Sequence, residues 1–160
     1  MPATPITAST RYFISGLTKV NFASSIANKA APTRGEINAA TDLSPEVNSV
    51  EGWEVVGQDI ETPDLASTFT SKVPGRTSAD DSSITFYASQ NSVDVRALLP
   101  RGTNGFILWF GEGDVASRKF DVFPVRVRSA PKPRDIEAAG MIRIEFSITS
   151  EPVENITVPA

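Results

Sequence analysis

The sequence predicts a mainly β fold, a β-sandwich or partly open barrel with one flanking α-helix and a short helical arm in a loop. Three observations carry that expectation. In Met141–Thr149, Ile142, Ile144, Phe146 and Ile148 alternate with Arg143, Glu145, Ser147 and Thr149, the period-two signature of a strand with one dry face. Further short apolar runs are punctuated by turn residues at Gly16, Pro74-Gly75 and Gly111 to Gly113. Helical spacing is confined to two brief stretches.

Taken in order, strands are expected at Arg11–Ser15 and Lys19–Ala23. The segment 25–45 follows, read as a protruding loop or arm on a single domain spanning 1–160. Within it, Thr33-Arg34-Gly35-Glu36 has capping-box form, with Thr at the cap and Glu three residues later. Gly35 in the first turn costs about 1 kcal/mol against Ala. Ile37 and Leu43 are its large apolar residues, and prolines bracket it, so a helix here needs a surface to dock on. Two surfaces are open to it, a neighbouring subunit or the chain's own sheet. On the first reading Thr33, Arg34, Glu36, Ile37, Asp42 and Leu43 form an inter-subunit docking arm.

Strands are next expected at Gly52–Val56, Ala66–Val73 and Ser83–Ala88. A helix then starts with Ser92 as N-cap and Asp94 in its first turn; Val95, Leu98 and Leu99 make its apolar stripe, and Pro100 and Gly102 end it. Strands at Gly105–Phe110 and Phe120–Arg128 precede the last one. Pro124 has no N–H to give a ladder, which predicts an edge or a bulge there.

Composition narrows function. A chain of 160 residues buries about 70% of its unfolded surface without staples. It has no cysteine and no histidine, which removes thiol chemistry, Ser-His-Asp and Cys-His catalysis and imidazole zinc sites. No enzymatic activity, cofactor or metal is therefore expected. The first residues lack a basic region followed by an apolar one, so no signal peptide is expected and synthesis is placed in a cytoplasm. Glu112 with Asp114, and Asp80 with Asp81, read as turn residues rather than calcium ligands. Trp53 and Trp109 read as core or interface aromatics, with a sugar-stacking role as the lesser reading.

Charge is unevenly distributed. Residues 51–95 carry eight acidic and two basic groups, whereas 96–135 carry eight basic and four acidic. The net charge of −4 argues against phosphate neutralisation as the main task. Arg126 and Arg128 form a basic strip without interleaved aromatics, read as a wet face or subunit contact.

"APTRGEINAATDLSPEVNSVEGW" (31–53) and "SITFYASQNSVDVRALLPRGTNGFILWFGEG" (83–113) resemble the major tail tube proteins of bacteriophages with long, non-contractile tails. The resemblance covers nearly the whole chain and contains no catalytic motif. It implies a structural virion protein that self-assembles into stacked, hexameric rings, forming a conduit for DNA. It further implies a tape-measure protein, a tail terminator and tail-tip proteins as partners, and a place in the virion tail after assembly in the host cytoplasm. DNA would be cargo passing the lumen, and no membrane is involved. A conduit should not hold phosphates, so an acidic or neutral lumen is expected, with Glu51, Glu54, Asp59, Glu61, Thr68 and Thr70 as candidate lumen-facing residues. A capsid decoration or adhesin module, or a carbohydrate-binding module, is the alternative.

Overall fold

The computed structural model of the chain describes residues 3–160. Its strands are β1 (Lys19–Ala23), β2 (Thr41–Asp42), β3 (Val47–Glu51), β4 (Val55–Thr62), β5 (Ser71–Ala79), β6 (Ser82–Tyr87), β7 (Asn104–Phe110), β8 (Lys119–Ser129), β9 (Met141–Ile148) and β10 (Val153–Thr157). Helices α1 (Arg34–Ala39) and α2 (Val95–Leu98) and a 3-10 turn at Ser44–Glu46 complete the described elements. Eight strands form one antiparallel sheet, ordered β2-β1-β7-β8-β9-β6-β3, with β10 added beside β8. Its outermost strands, β2 and β3, are joined by the 3-10 turn alone. A sheet whose two ends are tethered so closely must curl, and the result is a partly open barrel.

Alternation decides what fills it. Ile142, Ile144 and Phe146 from β9, Ile84 and Phe86 from β6, and Ile107 from β7 are fully buried and share one core with Phe123, Val125 and Val127 of β8. The opposite face of β7 and β8 is also dry. Leu108, Phe110, Phe120 and Val122 point there and meet Ile37 of α1, Ala23, Ile26 and Val158. Phe110 and Phe120 stack with ring centroids 4.8 Å apart. The near-continuous apolar run Phe106–Phe110 thus reads as a strand buried on both sides.

Helix α1 is built as its sequence predicts. The Thr33 side chain accepts from the Glu36 backbone N–H, and the Glu36 carboxylate accepts from the Thr33 N–H at 2.7 Å. The same carboxylate accepts from the Ala27 N–H at 2.7 Å, which ties the incoming chain to the helix. Arg34 donates twice to Asp114, at 2.5 and 2.7 Å, pinning α1 to the turn after β7. Ile37 and Leu43 are 2% and 5% exposed. Segment 25–45 therefore folds against its own sheet and does not protrude. Its two large apolar residues complete the chain's own cores, which the sparse apolar content of the segment concealed.

Other boundaries move for local reasons. Gly52 and Trp53 both take left-handed backbone conformations (φ +77 and +67), so pairing expected from Gly52 begins at Val55. A Cβ on Gly52 would sit 2.6 Å from the Asp81 carbonyl oxygen. In the strand expected at Ala66–Val73, the Asp64 and Ser67 side chains accept from the N–H groups of Ala66 and Phe69, closing local turns. Pairing starts only at Ser71. Residues 11–13 find no partner strand, and Ile14 to Leu17 turn instead. Ser92 is left-handed (φ +61); Asp94 is the N-cap, accepting from Arg96 N–H, and α2 is a single turn. The short edge strands β2 and β3 and the bulged β10 lack clean alternation and escape a sequence reading.

Pro124 lies neither at a sheet edge nor at a bulge. One side of β8 pairs with β7 without a break from Asp121 to Arg126, while the other side pairs with β10 up to Val122 and with β9 from Val125. Its carbonyl accepts from Thr149 N–H at 3.0 Å, so the missing donor faces the gap between those ladders.

Truncation of the helix anchor, Ile37→Ala, should lower unfolding free energy by about 2–5 kcal/mol in urea titrations. The three hydrogen bonds to Glu36 hold its carboxyl below its ordinary value of 4.5. That stabilisation is present above the ordinary value and is lost as pH falls through the depressed one. Urea midpoints of Glu36→Gln across the acid range should therefore fall less steeply than those of the native chain.

Candidate assembly surfaces

Strands β4 and β5 pair only with each other and form a hairpin separate from the barrel sheet. With eight residues in β4, it reaches about 26 Å at 3.3 Å per residue. Almost every residue is exposed, including Val56, Ile60, Leu65, Phe69 and Val73. Ile60 faces Val73 across the pair. Near the middle, Gly75 lets the strands approach: a Cβ there would meet the Gln58 carbonyl oxygen at 2.7 Å. An isolated two-stranded hairpin is marginal in water, and one with an apolar surface gains from a partner.

The second surface is the wet side of β3, β6, β9 and β8. Register sets Glu51 opposite Ser83, Ser83 opposite Glu145, Thr85 opposite Arg143, and Arg126 opposite Ser147. Charges on it are interleaved. Arg143 reaches Glu51 at 2.8 Å, and Arg128 reaches Asp81 at 3.0 Å and Glu145 at 3.6 Å. Glu145 also accepts a very short hydrogen bond from the Ser129 hydroxyl. That bond, with Arg128 and Arg143 beside it, holds the Glu145 carboxyl below its usual range. Counting Glu51, Asp81 and Glu145 against Arg126, Arg128 and Arg143, the face is balanced three to three.

The residues singled out by sequence separate into four places. Of the six arm residues, Thr33, Arg34, Glu36 and Ile37 belong to α1 and its cap on the outside of the sheet, Asp42 in β2 is 3.3 Å from Lys19, and Leu43 enters the core. Burial opposes the Asp42 charge, but hydrogen bonds from Ser44 and the Lys19 ammonium hold its carboxyl below the ordinary range. Of the lumen candidates, Glu51 stands on the charge-balanced face, and Glu54 lies before the hairpin base, its carbonyl accepting from Asp80 N–H. Asp59 and Glu61 ride on β4, while Thr68 and Thr70 lie in the hairpin loop rather than in a strand. They share no single surface. Arg126 and Arg128 do share one, the balanced face. The hairpin is the candidate element that the sequence did not reveal: Pro74-Gly75, expected as a turn, lies inside β5 with Pro74 paired to Asp59, and the chain reverses instead at residues 63–70.

Other candidates resolve simply. Asp114 and Glu112 hold Arg34 and Arg118. Trp53 packs 5.4 Å from both Trp109 and Phe123 and donates its indole N–H to the Ser83 carbonyl at 3.2 Å, so neither tryptophan is a free stacking platform. Among the described residues no cluster of His, Cys, Asp or Glu could hold a metal ion, and no helix is long and apolar enough to cross a membrane.

The fold has parallels in solved tail assemblies. The chain is similar to a component of the anti-feeding prophage baseplate (TM-score 0.60, 9% identity, covering 91% of this chain and 98% of that one). It is also similar to the SPP1 tail tube protein (TM-score 0.53, 15% identity, 91% and 80% covered). A tail component of a GTA particle, refined with C6 symmetry, matches with TM-score 0.50 and 8% identity over 87% of this chain and 94% of that one. No curated protein matches by sequence. A family profile described as phage tail tube protein matches residues 6–160, nearly the whole described chain. The chain belongs to the phage tail tube protein family, and its role is that of a structural component of the virion tail.

Proposed function

We propose that this protein closes into rings, sixfold as in the assemblies it resembles, and that the rings stack into a tube through which DNA passes. The observation that carries this reading is the β4–β5 hairpin, an apolar-decorated element with nothing of its own to pack on. A protomer with a projecting hairpin and open sheet edges makes heterologous contacts; these close around a ring and repeat along an axis. The hairpin takes the docking role that the sequence had assigned to Thr33–Leu43. The tape-measure, terminator and tip proteins remain the expected partners of such a tube, and the host cytoplasm the place of assembly.

We further assign the bore to the balanced face of β3, β6, β9 and β8. It is the broad, rigid, polar side of the barrel, whereas the outer side of β1, β7 and β8 is covered by α1 and the C-terminal segment. On this reading Arg126 and Arg128 line the lumen rather than a subunit contact, and the lumen is neutral by internal pairing rather than acidic. Asp59, Glu61, Thr68 and Thr70 then leave the lining. Arg128 and Arg143, engaged by carboxylates across the ladder, offer phosphates little to gain, and the carboxylates of the same face offset the charge of Arg126, so DNA slides.

Two measurements test these statements. Electron microscopy of the purified chain should show rings or hollow tubes, and replacing residues 58–76 by a short Gly-Ser turn should abolish tubes while leaving the thermal midpoint within a few degrees. Tubes that persist without the hairpin would remove it from assembly. Tubes of Glu51→Lys/Glu145→Lys should retain DNA at low salt that native tubes release, read by co-sedimentation; equal retention would move the bore elsewhere.

A further inference from the structure

Beside the open end of the barrel lies a groove of about 370 Å³ between the β2 end, the β6 end and α2. Its apolar floor includes Tyr87, Val93 and Leu98, which are 42%, 82% and 38% exposed. Its lining includes three carboxylates, Asp42, Glu46 and Asp94, and no lysine or arginine; Asp42 is engaged from outside by Lys19 at 3.3 Å, which leaves Glu46 and Asp94 to receive a cation. The groove is acidic and apolar, and none of the described residues fills it.

Residues 3–13 are its counterpart. They form neither helix nor strand and are exposed throughout, with Ile6 95%, Tyr12 53% and Phe13 79% exposed. Arg11 is their single charged residue, and the first carboxylate of the chain is Glu36. Charge complementarity separates this segment from the other unpartnered apolar element. The hairpin carries Asp59, Glu61 and Asp64 along with Lys72 and Arg76, so it would bring carboxylates to an anionic rim.

We propose that the groove lined by Asp42, Glu46, Asp94 and the Tyr87–Val93–Leu98 floor receives residues 3–13 of a second copy of this chain. Phe13 and Ile6 supply apolar anchors, and Arg11 meets the rim. The contact is heterologous, because arm and groove are different surfaces of one protomer, and it adds a second link between copies independent of the hairpin. It rests on the tube reading, since copies must meet in one fixed orientation.

The chain has no cysteine, so engineered thiols report without background. Chains carrying Phe13→Cys are mixed with chains carrying Val93→Cys under assembly conditions and mild oxidation, with Ile6→Cys as an alternative arm position. A disulfide between the two populations is expected, and it is intermolecular by construction. Arg11→Glu in the arm population should lower its yield about fivefold, and Glu46→Arg in the groove population should restore it, which a folding defect would not do. A chain carrying both Phe13→Cys and Val93→Cys that closes an internal disulfide, with none formed between the two single-cysteine populations, would overturn the proposal, as would a Val93→Cys bond to Phe69→Cys of the hairpin. Microscopy of the same samples separates the two levels: tubes without the arm–groove bond overturn this contact alone, whereas absence of both particles and bond overturns the tube reading with it.

Discussion

The fold depends on burying β7 and β8 on both faces. Ile107, Phe123, Val125 and Val127 fill the barrel, while Leu108, Phe110, Phe120 and Val122 need a second cover outside it. That cover is α1, held by its capping box, by Glu36 on Ala27 and by Arg34 on Asp114, with Val158 closing the other end. A six-residue helix would be marginal alone; here it is fixed by tertiary contacts at both ends and through its middle. The short link from β2 to β3 then forces the curl. Once the barrel exists, the hairpin is the large element left outside it.

This division of labour makes sense for a repeating assembly. The barrel and α1 bury most of their large apolar residues within the chain, in one cluster inside the sheet and a second beneath the helix. Surfaces suited to association are then peripheral: the hairpin, the residues 3–13, the groove by α2 and the interleaved sheet face. Exposed cross-strand ion pairs on that face contribute little stability each. Their effect is on the field above the sheet, which alternates in sign within a few ångströms instead of presenting one charged patch.

What the sequence made legible follows the strength of each local signal. β9 was readable from its strict alternation, β7 from its unbroken apolar run, and the α1 cap from Thr33 and Glu36, because each is dictated by neighbours in the chain. The hairpin boundaries were not, since they turn on left-handed backbone at Gly52 and Trp53 and on side-chain turns at Asp64 and Ser67. The direction in which α1 docks was illegible for a different reason. A lone Ile37 fits a neighbour's surface as well as its own, and only the outward Leu108–Phe110 face of β7, which needs α1 to bury it, decides between them. The candidate site residues were grouped by sequence proximity, whereas the sheet groups Glu51 with Arg143 and Arg128 with Asp81 across long loops.

Pro124 has a mechanical consequence. A tube that bends shears its subunits, and in most sheets a load on a terminal strand is handed along a continuous ladder of amide bonds. Here the side of β8 that serves β10 and then β9 is interrupted at a residue with no amide to share. Peeling β10 from the barrel would therefore stop at Val122, leaving the β8–β9 zipper and the core beneath it intact. The proline works as a firebreak, confining damage at the chain's end to the end.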